Sequence, residues 1–463
     1  MNGKPLDDTI AAVATPIGQA GIGIIRLSGP RALEIAKRIF IPRKKTQHLK
    51  SHRLYLGSLV DPRSGAMIDE VLLSYMKAPR SYTREDVVEI NSHSGFLLLS
   101  RILEIVLQEG ARPADPGEFT FRAFMNGRID LTQAEAVVDL IHSQSQRGLQ
   151  LASQQIAGRL GEKISAFRRI LIDILARIEV AVDFPEEEDA LLDREETARK
   201  MERDILHPME EIMTAHQQRK VWMEGLRTVL VGRVNVGKSS LLNRLLNEEK
   251  AIVTPIPGTT RDIIESTLYI DGIPLRLMDT AGFRKVQGEV ERLGIRMAER
   301  KLAEADLSLI VLDRSRPLAP EDLDILARAD KKKSLVILNK IDLPPRIEEK
   351  KVLDLVEDVP LVKVSALTGH GINQLQKAVR DRVLSGETDT STSPIAPNLR
   401  QKNALEEASV YFKRAIKVLK EGLPLDLVAV EIQGGMEALG AIIGETAPEE
   451  ILDRIFSRFC IGK

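Results

Sequence analysis

The run Gly232-Arg233-Val234-Asn235-Val236-Gly237-Lys238-Ser239 fits the spacing G-x-x-x-x-G-K-[ST], a pattern suited to gripping phosphate. Glycines let the backbone curl until several N–H groups converge on one point. A phosphate held there also meets the positive end of the helix that follows. Lys238 would reach the β- and γ-phosphates, and the Ser239 hydroxyl would hold magnesium. The apolar run Thr228 to Val231 predicts a buried strand before the loop, and Ser240 to Leu246 predicts a helix after it, the context such a loop requires.

Further motifs follow in order, each at the end of a predicted strand. Leu275 to Met278 leads into Asp279-Thr280-Ala281-Gly282, which would place Asp279 near magnesium and the Gly282 N–H near the γ-phosphate. Ser334 to Leu338 leads into Asn339-Lys340-Ile341-Asp342. A carboxylate at Asp342 can accept from the N1–H and exocyclic amine of guanine, a pairing adenine does not offer, so the implied substrate is GTP. Leu361 to Val364 leads into Ser365-Ala366-Leu367, a base-contacting loop. The residues expected to contact nucleotide are Asn235, Val236, Gly237, Lys238, Ser239 and Ser240, Asp279 to Gly282, Asn339, Lys340, Asp342, Ser365 and Ala366, together with the loop Thr254-Pro255-Ile256-Pro257-Gly258-Thr259-Thr260, whose two adjacent threonines suit magnesium.

Two departures from common switch proteins bear on mechanism. A water-orienting glutamine usually follows D-T-A-G, but that position is Phe283, which has no polar group to offer. Phosphoryl transfer without an added positive charge typically loses about 10³ to 10⁵ in rate, the usual worth of an arginine finger. Asn235, inside the phosphate loop, offers a carbonyl oxygen that could hold a monovalent cation in that place, and one of the adjacent Thr259 and Thr260 should complete magnesium coordination.

The elements that must position these residues divide the 463-residue chain into about three domains. Residues 1–128 alternate short apolar runs (Ile10 to Ala14, Ile22 to Leu27, Val71 to Tyr75) with turns, and add helical patterns at Arg31 to Phe40 and Phe96 to Glu109, which predicts an α+β domain. In this domain Arg26, Glu89, His93 and Arg128 stand at strand ends or turns. Residues 129–222 are helical, with Ile164, Phe167, Leu171, Ile174 and Ile178 forming one apolar stripe, and residues 223–384 carry the nucleotide motifs. After a Ser/Thr/Gly/Pro-rich linker, Gly386 to Pro397, residues 385–463 resume helical patterns at Leu399 to Leu419, Asp426 to Gly444 and Pro448 to Phe459. The nucleotide domain is thus expected to be inserted into one helical domain. Thr446 with Glu449 matches a capping box, and the acidic run Glu186 to Asp189 reads as a solvated loop.

Formal net charge is −1, so any nucleic-acid contact must come from local patches or a partner. No apolar run reaches about 18 residues, and no signal-peptide pattern opens the chain, which predicts a cytoplasmic protein that does not enter a membrane. The single cysteine, Cys460, excludes a disulfide within the chain, and its Cys-Ile-Gly-Lys ending is not a prenylation signal.

At this level the chain resembles the MnmE (TrmE) family of tRNA modification GTPases. The resemblance rests on Ala14-Thr15-Pro16 to Gly29, Ser81-Tyr82-Thr83-Arg84-Glu85-Asp86, the run Arg112 to Thr120, Gly258-Thr259-Thr260-Arg261-Asp262 and the terminal Phe459-Cys460-Ile461-Gly462-Lys463, which together cover the whole chain. It implies a potassium-activated GTPase that dimerises through its N-terminal domain. It also implies a heterotetramer with the FAD-binding protein MnmG, which modifies carbon 5 of the wobble uridine of certain tRNAs. The one-carbon unit would come from 5-formyltetrahydrofolate or 5,10-methylenetetrahydrofolate, bound by residues matching Arg26, Glu89, Arg128 and Lys463; lysine also occurs in the family where Arg128 stands. Family potassium ligands match Asn235, Thr254, Ile256 and Thr259, and magnesium ligands match Ser239 and Thr260. Glu291 matches a glutamate that orients the attacking water through a second water, which makes Glu291, Lys238 and Asn235 the expected catalytic residues. The alternative reading, a ribosome-assembly GTPase switch, would call for an RNA-binding module such as a KH domain, where this chain has helices and a folate-like N-terminal domain.

Overall fold

The structure, a computed structural model, describes residues 7–16, 18, 20–44, 48–184, 192–248, 267–278, 304–384 and 395–463. From the N-terminus come β1 (Ile10–Val13), β2 (Gly23–Ser28), α1 (Ala32–Ile39), β3 (Phe40–Pro42), β4 (Arg53–Val60), β5 (Met67–Met76), β6 (Val87–Ser92), α2 (Phe96–Gln108), β7 (Arg112–Pro113) and α3 (Glu118–Met125). Helices α4 (Leu131–His142), α5 (Gln146–Ile156), α6 (Arg159–Asp183), α7 (Arg194–Met201) and α8 (His207–Glu224) follow, the last two joined by a π-helical turn at Glu202–Leu206. Next are β8 (Leu226–Val231), α9 (Lys238–Glu248), β9 (Thr267–Ile270), β10 (Ile273–Leu277), β11 (Leu307–Asp313), α10 (Pro320–Ala327), β12 (Ser334–Asn339), α11 (Glu349–Val356), β13 (Leu361–Lys363) and α12 (Ile372–Val383). The last helices are α13 (Leu399–Lys420), α14 (Leu425–Ile443) and α15 (Glu449–Phe456). Described residues of 1–141, 153–211 and 399–463 form one compact unit, and those of 142–152 and 212–398 form a second.

The first unit contains a seven-stranded sheet, ordered β3-β4-β5-β6-β2-β1-β7 and antiparallel except for the β1/β7 pair. Alternation along the strands decides which side chains are buried. Ile25 and Leu27, Val88 and Ile90, and Val71 and Leu73 turn to one face, where Ile35 and Ile39 of α1 and Leu99, Ile102 and Val106 of α2 complete a core. Arg26 and Glu89 pair in register on neighbouring strands and turn to the opposite face.

Beside this sheet lies a buried ionic network. The Arg122 side chain is 0% exposed; its guanidinium donates to the Asp8 carboxylate and carbonyl, to Glu85 (3.2 Å) and to Glu118 (3.1 Å). Arg112 bridges Asp8 and Glu118 from the other side, at 2.6 Å to each. Burial pushes the Glu85 carboxyl above its ordinary value despite hydrogen bonds from Ser28 and Arg122. Burial acts in the same direction on Glu118, but hydrogen bonds from Arg112 and the Asp115 N–H, with the charges of both arginines, outweigh it and hold that carboxyl low. Deleting one member of such a network leaves its partners charged and dry. Arg122→Met is expected to cost about 3 to 5 kcal/mol, read as a shift of the urea midpoint; a loss under about 1 kcal/mol would mean that water re-enters to solvate the carboxylates.

Within the first unit, helices from both sides of the nucleotide motifs pack together. Ile164, Phe167, Leu171, Ile174 and Ile178 are buried along α6, which packs on α14, and α14 packs along α13. Arg400, near the start of α13, donates to both Glu135 oxygens at 2.8 Å and to the Ala441 and Ile442 carbonyls that end α14. The last helix docks Phe456 against Phe121 (5.2 Å, edge-on) and Phe459 (5.5 Å, stacked). The capping box expected at Thr446 does not form. Pro448 occupies the N-cap of α15 with no side-chain cap, and the Thr446 hydroxyl donates instead to the Glu437 carbonyl at 2.9 Å.

The second unit holds a six-stranded sheet, ordered β13-β12-β11-β8-β10-β9, in which only the β9/β10 pair is antiparallel. Every residue of β11 and β12 is buried, because the sheet has an apolar core on each face. Parallel strands bring the carboxyl ends of β8, β11, β12 and β13 to one edge, and all the described nucleotide motifs stand there.

Candidate functional site

The phosphate loop leaves β8 at Gly232 and enters α9 at Lys238. Gly232 (φ +149°) and Gly237 (φ +95°) have conformations that side chains resist, and a Cβ at either would strike the Val311 carbonyl or the Asn339 amide. The Lys238 ammonium donates to the Gly232 and Arg233 carbonyls at 2.6 and 2.7 Å, folded over the loop. Burial lowers its pKa to about 8, and phosphate oxygens brought to it would favour the charged form and raise that value again.

At the base end, three residues of one turn tie the site together. The Asn339 amide donates to the Val236 carbonyl (2.9 Å) and accepts from the Ala366 N–H (3.0 Å), joining the phosphate loop to the loop after β13. Lys340 donates to the Asn235 carbonyl and to the Asp313 carboxylate, each at 2.7 Å. Burial works to raise the Asp313 pKa, but hydrogen bonds from Lys340 and Ser315 and the lysine charge outweigh it and keep the carboxyl below its ordinary value. The buried Ser365 hydroxyl donates to Asp342 at 2.6 Å and aims its carboxylate. Asp342 borders an open surface cavity of about 820 Å³ lined also by Arg314, Ile341, Lys363, Thr368, Gly369 and His370.

Asn235 (φ +64°) and Lys340 (φ +65°) are non-glycine residues in the left-handed region. Such residues cost about 1 to 3 kcal/mol each and persist where their surroundings hold them. Here each residue helps to hold the other. Among the described residues the Asn235 side-chain amide and the Ser239 hydroxyl are exposed and make no hydrogen bond to protein. These oxygens fit hard cations such as potassium and magnesium. The other expected ligands and motif residues, 254–260 and 279–282, and the expected catalytic residue Glu291 lie outside the described residues.

A second cluster gathers the residues singled out in the N-terminal domain. The Arg26 guanidinium binds Glu89 at 2.8 Å and the Gly462 carbonyl at 3.2 Å, and stands 5.9 Å from the centre of the Tyr82 ring. Arg128 lies 4.7 Å from that same ring centre. Gly462 (φ +93°) lets the chain end turn tightly beside Val13 and Ala14, which carries Lys463 to this cluster. His93 belongs elsewhere: its ring nitrogen meets Asp69 at 2.8 Å. Sequence reasoning missed Tyr82 as the common platform and Asp313 as the anchor of Lys340. The acidic end of the β11 run was the only available signal for Asp313.

A model of the MnmE helical domain matches residues 131–460, and a model of the GTP-binding protein TrmE N-terminus matches residues 9–128. The tRNA modification GTPase MnmE of Geobacillus kaustophilus is 44% identical over 458 residues, 98% of this chain and 99% of that protein. The chain belongs to the MnmE family. The family member from Alkaliphilus oremlandii is 45% identical over 466 residues, 99% of this chain and 100% of its own. Among solved structures, the G domain of the T. maritima FeoB iron transporter covers 34% of this chain and 98% of its own, at 26% identity and a TM-score of 0.25. MnmE membership makes the chain a GTPase, in accord with the phosphate loop and the strand-end motifs gathered at one edge of the sheet. Among the described residues no helix is long and apolar enough to cross a membrane.

Proposed function

We propose that this chain is the GTP-hydrolysing component of a cytoplasmic complex, formed with the flavoprotein MnmG, that modifies carbon 5 of the wobble uridine in certain tRNAs. Within it the chain works as a homodimer joined through its N-terminal domains. Lys238 neutralises the β- and γ-phosphates, Asp342 selects guanine and Glu291 orients the attacking water through a second water. Ser239 and Thr260 would hold magnesium, and Asn235, Thr254, Ile256 and Thr259 would hold potassium. When bound, the potassium ion supplies the charge that an arginine finger supplies elsewhere.

The observation that carries this reading beyond a bare GTPase is the N-terminal cluster of Arg26, Glu89 and Arg128 around Tyr82, with the chain end beside it. A reduced folate would find there a carboxylate for its pterin N–H groups and cations for its glutamate tail. Glu89 would then read a pterin as Asp342 reads guanine. A ribosome-assembly switch has no use for such a site.

Mass spectrometry of tRNA nucleosides tests the reading. Cells depleted of the chain should lose 5-aminomethyl-type uridines. The intact chain should restore them and a Glu89→Gln chain should not. Unchanged nucleosides in depleted cells would defeat the proposal.

A further inference from the structure

We infer that one end of the seven-stranded sheet is a grip for the phosphate backbone of RNA, built from Lys44, Lys50 and Arg53 with Lys77 and Arg80 beside them. The inference rests on the tRNA-directed reading above and names a contact surface for it. The chain as a whole is nearly neutral, yet residues 35–60 and 71–84 contain no aspartate or glutamate. Positive charge is therefore segregated along these segments.

Strand register brings the segments together. Strand β3 runs antiparallel to β4, and the Arg43 N–H donates to the Leu56 carbonyl, so β3 ends toward the start of β4. Arg53, where β4 starts, pairs with Tyr75 near the end of β5. The Lys77 N–H donates to the Ser51 hydroxyl at 2.9 Å, and the His52 N–H donates to the Tyr75 carbonyl at 2.7 Å. With neighbouring strands about 4.8 Å apart, Arg43 and Lys44, Lys50 to Arg53, and Lys77 to Arg80 crowd one end of three adjacent strands. Lys44, Lys50, Arg53, Lys77 and Arg80 are exposed, and among the described residues none of them pairs with a carboxylate. Two acids stand nearby: Glu70 sits 3.8 Å from Arg43, and Asp86 accepts from the Tyr75 hydroxyl and the Ala78 N–H.

A row of exposed cations along the ends of neighbouring strands, none paired with a carboxylate among the described residues, suits a repeating anion better than a single small one. An anionic membrane is the other polyanion. It usually recruits an amphipathic helix with an apolar face, whereas these residues stand on strand ends and turns.

The test uses the full chain and a fluorescently labelled tRNA transcript with uridine at the wobble position, titrated at several salt concentrations. The triple variant Lys44→Glu, Lys50→Glu, Arg53→Glu is expected to lose at least about tenfold in affinity and to flatten the slope of log affinity against log salt by about 2 to 3. A Gln version of the triple should show the same direction with smaller loss, and circular dichroism melts identify any variant that fails to fold. Reversal of Lys413, Arg414 and Lys417 on α13 changes net charge equally and should leave affinity near wild type. Wild-type affinity and slope in both triples would overturn the inference, as would equal loss in the α13 variant. Loss of binding to phosphatidylserine vesicles with tRNA binding intact would overturn it in favour of a membrane. Potassium-stimulated GTP hydrolysis is expected to be unchanged in the Glu triple, so a failure of the GTPase reading would show separately.

Discussion

Exchange of potassium for sodium at constant ionic strength is expected to slow GTP hydrolysis by about 10³-fold or more, the scale set by losing a transition-state charge at the phosphates. The residue after the D-T-A-G motif is Phe283, and Asn235 is the phosphate-loop side chain with a free oxygen and a fixed backbone. Asn235→Ala should lower the rate in potassium to the rate in sodium. Alanine at a positive φ adds strain of its own, about 1 kcal/mol or more, so Asn235→Gly is the cleaner variant: it keeps the left-handed backbone and loses only the amide. Both variants should bind GDP within a few-fold of wild type, because Lys238, Asn339 and Asp342 remain. The measurement is phosphate release in matched potassium and sodium buffers. Equal wild-type rates in the two would remove the cation from the mechanism.

Much of this site could be read directly from sequence. The phosphate loop, Asn339, Asp342 and Ser365 are short-range motifs whose chemistry dictates residue types at fixed spacing, and the strands before them are continuous apolar runs because both sheet faces are covered. The helical stripe on α6 was equally plain, since its period alone names the buried residues.

What stayed hidden depends on register and on long-range pairing. Asp313 meets Lys340 only because β11 and β12 lie side by side, and Asp313 and Asn339 pair in their register. Arg122 is a helix residue whose partners come from two other segments, at Asp8 and Glu85, and from Glu118 one turn back on its own helix, and no local pattern marks an arginine for full burial. The family motifs around Glu85 and Glu118 were visible as strings. Their structural reason, the ionic network that fastens them, appeared only in the fold. Thr446 erred in the opposite direction: its local pattern was right, but Pro448 starts the helix and the Glu437 carbonyl takes the hydroxyl.

Asp342→Asn is expected to lower GTP affinity by about 10² to 10⁴, since two hydrogen bonds to a charged group are each worth about 1.5 to 3 kcal/mol. The carboxylate accepts from two guanine donors, whereas an asparagine amide accepts one and sets its own NH₂ against the exocyclic amine. Xanthine carries an oxygen where guanine carries that amine. The variant should therefore bind xanthosine triphosphate better than GTP, and the wild type should show the reverse order. Ser365 sharpens this expectation: its buried hydroxyl donates to Asp342 and can equally donate to the asparagine carbonyl oxygen, which turns the new NH₂ toward the base. Asn339, Lys340 and the phosphate loop remain in place, so xanthosine triphosphate should be hydrolysed with the same potassium requirement as GTP is by the wild type. Fluorescent-nucleotide titrations with both triphosphates decide the matter. A variant that weakens equally toward both would mean that the base sits away from Asp342, and the cavity lined by Lys363, Thr368 and His370 would need another occupant.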